Sequence, residues 1–231
     1  VFFIKVREFD LLGGYPETKK PRYVNQNLRT IKNRITASYR SKEYFDGNRN
    51  DGYAGMVYDG RWKSIAKRIY EKYTINDNSK ILQINCEKGF LLNDLHHLNP
   101  KIKIYGIEGS KYAINNALPS VKNFIKYSNK IDLNFSDNFF DFVIAIGVVY
   151  SLNLTDAIKC LKEIQRVSKG KSFITLGAYE TEEDKKLFSY WTLLGSTILK
   201  KNEWIDVLKH SGFTGDYKFN TAASLNLVEK I

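Results

Sequence analysis

The chain has 231 residues, 43% of them hydrophobic, a mean hydropathy of −0.38 and a formal charge of +11. No apolar run approaches the roughly 20 residues of a membrane span, and the composition is neither collagen-like nor low-complexity. Two cysteines argue against a disulfide framework, and three histidines without CxxC or HExxH spacing argue against zinc, so no metal is expected.

The opening Val1-Phe2-Phe3-Ile4 is too short for a signal-peptide core. With no export signal in view, Cys86 and Cys160 are expected reduced and the protein cytoplasmic. The first residue is Val rather than Met, so the true N-terminus is expected upstream. Residues 1–50 carry eleven Lys/Arg against five acids, a local charge of +6. Such a field attracts anionic partners, namely phosphorylated metabolites, nucleotide-sugars, nucleic acid or an acidic membrane surface, or else serves only to keep the arm solvated. Gly13-Gly14, Pro16 and Pro21 punctuate the start, and Leu28–Tyr44 reads as a short basic helix. A turn-rich aromatic stretch follows, then an amphipathic helix over Trp62–Tyr73 with Ile65, Ile69 and Tyr73 on one face.

From Lys80 the pattern alternates between strand and helix, which predicts a parallel sheet. Strands are expected near 80–85, 102–107, 123–127, 140–146 and 171–177, and helices near 89–98, 110–117 and 154–167. The span 182–211 reads as mainly helical, with Trp204 in the core. Thr214–Phe219 and Ser224–Val228 read as a closing hairpin that ends on an antiparallel strand. In a doubly wound sheet ligands bind beyond the carboxyl ends of the strands, here the loops after 85, 107, 127 and 146.

The first of these loops is Gln83-Ile84-Asn85-Cys86-Glu87-Lys88-Gly89, where a strand–turn–helix lets backbone N–H groups meet a ligand. In the second, Glu108 lies 25 residues beyond Gln83, near the roughly 20-residue offset at which an acid accepts ribose hydroxyls; Gly109 and Ser110 follow it. The third holds Asn129, Lys130 and Ile131, ahead of Leu133-Asn134-Phe135-Ser136-Asp137-Asn138-Phe139-Phe140-Asp141-Phe142-Val143. The fourth runs from Ile146 through Gly147 to Tyr150.

Together these segments resemble the class I S-adenosylmethionine-dependent methyltransferases over roughly residues 44–215. The first loop is similar to that family's Asp-x-Gly-x-Gly-x-Gly motif, with Gln83, Asn85 and Glu87 replacing the acid and the first two glycines and Gly89 keeping the third. The Phe135–Val143 segment is the most specific match. The resemblance implies a Rossmann-like α/β fold, S-adenosylmethionine as cofactor, a ribose contact from Glu108, an adenine contact from the Asn129 carbonyl, and backbone N–H contacts from Lys130 or Ile131. Asn tolerates a left-handed backbone, so Asn85 is a mild change. Glu87 either points outward or sets its carboxylate toward the cofactor's sulfonium or amino group. Tyr150 stands where relatives often carry His, and is either an acceptor-orienting group or a packed aromatic; with a reference pKa of about 10 it is a poor base unless shifted.

Gly52–Trp62 is similar to a segment in bacterial methyltransferases of sugar and surface-polysaccharide pathways. This implies a lid in which Tyr58, Arg61 and Trp62 cover the cofactor and Tyr53 meets the acceptor. Tyr179, Glu180, Trp191 and Thr192, after the fifth strand, are the other acceptor candidates. The expected organisation is a basic aromatic arm over 1–60 and a Rossmann-like core over 61–231. The expected activity is methyl transfer to O or N of a small anionic acceptor, such as a nucleotide-sugar or phosphorylated polysaccharide precursor. The alternatives are an RNA methyltransferase and a catalytically degenerate partner subunit.

Overall fold

The structure is a computed structural model that describes residues 6–230; the apolar opening Val1–Ile4 lies outside the described residues. In chain order the elements are β1 (Arg7–Glu8), β2 (Arg22–Val24), α1 (Ile31–Ser38), α2 (Lys42–Asp46), α3 (Lys63–Tyr73), β3 (Lys80–Ile84), α4 (Phe90–Leu98), β4 (Lys103–Glu108), α5 (Lys111–Asn115), β5 (Ile125–Tyr127), β6 (Phe142–Ala145), α6 (Leu154–Val167), β7 (Ser172–Tyr179), α7 (Glu182–Trp191), β8 (Leu199–Lys200), α8 (Lys201–Ser211), β9 (Asp216–Asn220) and β10 (Leu227–Glu229). The main sheet runs β1-β9-β7-β6-β3-β4-β5, with β8 on β7, in a Rossmann-like α/β arrangement.

Its central strands are apolar nearly throughout because both faces are covered. On β6, Phe142 and Ile144 enter the layer of α3 and α4, while Val143 and Ala145 enter the layer of α6 and α8. The α6 helix presents Ala157, Cys160, Leu161, Ile164 and Val167 as one buried stripe and is capped by the Asn153 side chain, which accepts from Asp156 N. Trp204 of α8 is fully buried, and its indole N–H donates to the Gly177 carbonyl at 2.8 Å. Both cysteines are buried free thiols, one in each layer.

Two expectations fail at the C-terminal end. The last core strand is parallel, not antiparallel: β9 pairs with β7 in the register Phe173↔Asp216 to Gly177↔Asn220. The connection through α7, β8 and α8 is a crossover, and a crossover returns the chain in the same direction. The hairpin over 214–228 also does not form. The Thr221 and Ser224 side chains close a turn after β9, and β10 pairs instead with β2 of the arm, Leu227 opposite Arg22.

Residues 6–60 are tied into the core at several points. β1 extends the main sheet beside β9, and Leu11 and Leu12 are buried against α3. The basic stretch 28–44 is not one helix. It breaks at Arg40, whose left-handed backbone (φ +46) separates α1 from α2.

Candidate active site

Because β3, β4, β5 and β6 are parallel, the loops after Ile84, Glu108, Tyr127 and Ala145 share one edge of the sheet. The loop after β3 is a tight turn: Cys86 N bonds to Ile107 O, and Gly89 N to Cys86 O. Asn85, Glu87 and Gly89 have φ of +57°, +54° and +77°. The three positions where the resemblance places glycine therefore all have the backbone that favours glycine, which supports the register of that comparison. Gly89 is held to glycine on a second count, since a Cβ there would lie 2.8 Å from Val121 Cγ2. Glu87 adopts this conformation at a cost of about 1–2 kcal/mol. Gln83 Oε1 and Asn85 Oδ1 are buried at this edge without a hydrogen-bond partner among the described residues.

Glu108, only 1% exposed, ends β4. Its Oε2 accepts from Glu87 N and its Oε1 from Ser110 N, each at 2.8 Å. One lone pair of each oxygen is thereby fixed by the backbone. The remaining sides meet Arg40 of the arm, whose Nη2 lies 3.3 and 3.4 Å from the two oxygens. These contacts are long for charge-assisted bonds, and Arg40 Nε is buried with no hydrogen-bond partner among the described residues. Ser110 caps α5 and donates its hydroxyl to Arg40 O at 2.5 Å.

Glu87 points inward. Its Oε1 accepts from the Tyr53 hydroxyl at 2.9 Å and lies 3.8 Å from Arg40 Nη2. Two carboxylates thus share one guanidinium. Burial and the Glu108 charge push Glu87 up to about 7, against the opposing pull of Arg40 and Tyr53. Burial disfavours the charge on Arg40, but Glu108 and Glu87 outweigh it and raise its pKa. Lys130 also reaches this cluster; burial and Arg40 lower its pKa, and its Nζ donates to Ser151 Oγ at 3.4 Å.

The arm is clasped over this edge by an ion pair between buried Lys88 and half-buried Asp46. Lys88 Nζ meets both oxygens of Asp46 at 2.8 Å and the Met56 carbonyl at 2.9 Å. Asp46 also accepts from the Tyr112 hydroxyl at 2.7 Å and from Met56 N at 3.0 Å. Tyr44, Phe45 and Tyr53 pack with one another, Phe45 also stacks on Tyr112, and Arg40 lies over the rings of Tyr44 and Phe45.

The residues expected to form the lid make their contacts outside the Glu87–Glu108–Arg40 cluster. The Tyr58 hydroxyl bonds to Asp94 on α4, and its ring packs on Phe90. Arg61 is half exposed and paired with Asp59, two residues away. Trp62 packs edge-on against Tyr15. Around Glu87 and Glu108 the arm gathers Arg40, Tyr44, Phe45 and Tyr53, the last of them among the expected acceptor residues.

On the core side, Gly109 sits beside Ser128. Asn129 turns back on its own loop, its carbonyl accepting from Ile131 N and Asp132 N at 3.0 and 2.7 Å. The adenine contacts expected of Asn129 and of Ile131 N are thus engaged locally in this conformation. Ile146 packs into the α3/α4 layer. Tyr150 is buried against Phe188, and burial, with Tyr44 and Glu87 nearby, raises its pKa further from that of a useful base. Tyr179 is buried at the end of β7, and Glu180 is exposed and paired with Lys201. Trp191 meets Phe188 and lies under Arg29, while Thr192 terminates α7 and accepts from Gly195 N.

Residues 75–212 match the family model described as a methyltransferase domain. That span is more than half of the chain, and the chain belongs to the class I methyltransferases. Solved structures share the fold. The YcgJ protein of Bacillus subtilis is 14% identical with a TM-score of 0.53, the match covering 63% of this chain and 66% of that one. A candidate methyltransferase from Bacillus halodurans C-125 is 15% identical with a TM-score of 0.51, covering 64% and 68%. The chain thus spans just under two thirds of the length of the Bacillus subtilis protein. No curated protein sequence matches the chain. Among the described residues no helix is long and apolar enough to cross a membrane.

Proposed function

We propose that the protein is an S-adenosylmethionine-dependent methyltransferase that acts on O or N of a small anionic acceptor in the cytoplasm. The observation that carries this reading is the Glu108 carboxylate, held by two backbone N–H groups at the end of β4 beside a loop with left-handed backbone at positions 85, 87 and 89. The residues fit the cofactor. Each Glu108 oxygen keeps a lone pair that meets only a long contact to Arg40, and two ribose hydroxyls are the natural replacement. The partnerless oxygens of Gln83 and Asn85 supply further acceptors at the same edge.

Bound there, S-adenosylmethionine supplies an electrophilic methyl group on a sulfonium. Glu108 holds the ribose, which requires Arg40 to withdraw from the carboxylate. Glu87, lying between Tyr53 and Arg40, would keep a carboxyl poised near neutrality at the same edge without being required to hold the cofactor. The Tyr44, Phe45 and Tyr53 rings exclude water. Tyr150 orients an acceptor rather than removing its proton, since its pKa is raised. Support for an anionic acceptor is the arm's charge of +6; nucleotide-sugars and phosphorylated polysaccharide precursors are the candidate class.

A second reading, a catalytically degenerate partner subunit, is favoured by Arg40 lying on Glu108. The test is incubation with methyl-labelled S-adenosylmethionine, a panel of nucleotide-sugars and total RNA. Label in the small-molecule fraction is the expected result. Label in RNA would redirect the acceptor, and no transfer to any fraction would favour the partner-subunit reading.

A further inference from the structure

Four arginines of the arm are held by main-chain oxygens and by no acid. Arg29 Nη1 donates to the Trp191 carbonyl, and its guanidinium lies 5.8 Å from the indole centroid. Arg34 donates through Nη2 to the Ser189 carbonyl and through Nε to the Arg29 carbonyl. Arg49 Nη1 meets the carbonyls of Gly52 and Tyr53 at 3.2 and 3.4 Å. Arg22 donates to the carbonyls of Leu225 and Pro16. Among the described residues none of the four forms a salt bridge, whereas Arg7, Arg40, Arg61 and Arg166 all do.

Arg34 lies on the Arg29 carbonyl, and the other charges bear on Arg29. Burial first, then Arg49, Arg34 and Arg22, bring the Arg29 guanidinium down to about 10, and burial and Arg49 lower Arg22 in the same way. Carbonyl oxygens orient a guanidinium but neutralise nothing. Each side chain carries five N–H donors and uses only one or two of its nitrogens here, so the rest remain available. Arranged, partly buried and uncompensated positive charge is what a multivalent oxyanion requires. The cluster also borders the candidate active site. Arg49 Nη1 lies on the carbonyl of Tyr53, whose hydroxyl is on Glu87. Arg61, expected from the sequence in the lid, is paired with Asp59 instead.

We propose that Arg22, Arg29, Arg34 and Arg49 form the phosphate subsite of the methyl acceptor, binding a phosphate or diphosphate group while the rest of the acceptor extends toward Tyr150. The assignment to an acceptor rests on the methyltransferase reading; the anion site itself does not.

The experiment is calorimetric titration of the full chain with inorganic pyrophosphate at low ionic strength, and with S-adenosylhomocysteine in parallel. Wild type binds pyrophosphate. Arg29→Gln and Arg49→Gln each weaken that binding by roughly tenfold, Arg61→Gln leaves it unchanged, and the S-adenosylhomocysteine affinity of all three stays at the wild-type level. Arg49 is exposed, so its variant remains informative if Arg29→Gln disturbs the packing on Trp191. No pyrophosphate binding by folded wild type, or equal binding by wild type and Arg49→Gln, overturns the subsite. Arginine-dependent retention of an RNA oligonucleotide without pyrophosphate binding overturns it in favour of nucleic acid. Arginine-dependent pyrophosphate binding with no binding of S-adenosylhomocysteine keeps the anion site and removes the methyltransferase reading.

Discussion

Replacing Glu87 with glutamine tests the electrostatics of the site through the stability of the whole chain. Glu87 and Glu108 share Arg40, and burial raises Glu87 from an ordinary 4.5 to about 7. The folded chain therefore keeps the Glu87 proton between about pH 4.5 and 7, where the unfolded chain has released it. The state that binds more protons is favoured at lower pH, so this carboxyl costs stability as pH rises, and the full cost is present above about pH 7. At about 1.4 kcal/mol for each pKa unit, the cost is about 3 kcal/mol. The Glu87→Gln side chain keeps an acceptor for the Tyr53 hydroxyl but has no proton to lose. Thermal melts of both proteins from pH 5 to pH 8 measure the effect. The melting temperatures should nearly coincide at pH 5, and the variant should gain roughly 6–12 °C over wild type at pH 8, using about 2–4 °C per kcal/mol for a chain of this size. A difference that stays constant across the range would mean that Glu87 titrates as an ordinary exposed carboxyl, and the charge-sharing account would be wrong.

Lys88→Met removes the clasp on Asp46 and should free the arm, seen as rapid limited proteolysis within residues 39–60, at a stability cost of about 3 kcal/mol; the double variant Lys88→Met/Asp46→Leu should recover part of it. Protease resistance equal to wild type would show that the aromatic contacts alone hold the arm. Tyr150→Phe should lower kcat by less than roughly tenfold and leave its pH profile unchanged, since the raised pKa removes it as a base; a lost basic limb in that profile would reinstate it. Glu87→Gly relieves the left-handed strain, so S-adenosylhomocysteine should bind it as well as wild type or better, and a drop beyond roughly tenfold would show that the carboxylate makes a contact of its own.

The central sheet was readable because its strands are short apolar runs separated by turn residues, and the edge carrying the ligand loops followed from parallel topology. Strand direction at the end of the chain was not readable. A period-two pattern in Asp216–Asn220 is the same whichever way the strand runs, and only the path of α7 and α8 decides it. Glu108 was legible because an acid closing the second strand sits at a fixed offset from the first loop. Arg40 was not, because its pairing with Glu108 spans 68 residues and its left-handed turn contains neither Gly nor Pro. The partners of Tyr58, Arg61 and Trp62 were not readable, because an aromatic, arginine-bearing segment looks the same whether its charge faces a ligand or pairs with Asp59 nearby. Asn129 was placed by register, but register cannot foresee that its carbonyl would close its own turn.

The most direct test of the account is calorimetric titration of S-adenosylhomocysteine into wild type, Glu108→Ala and Arg40→Ala, each verified as folded by circular dichroism. Wild type should bind. Glu108→Ala should bind at least roughly tenfold more weakly, because two hydrogen bonds to a charged acceptor are lost. Arg40→Ala should bind as tightly as wild type or tighter, because the competitor for the Glu108 lone pairs is gone. Absence of binding to folded wild type, or an affinity indifferent to Glu108, would contradict the assignment of this edge of the sheet as the cofactor site.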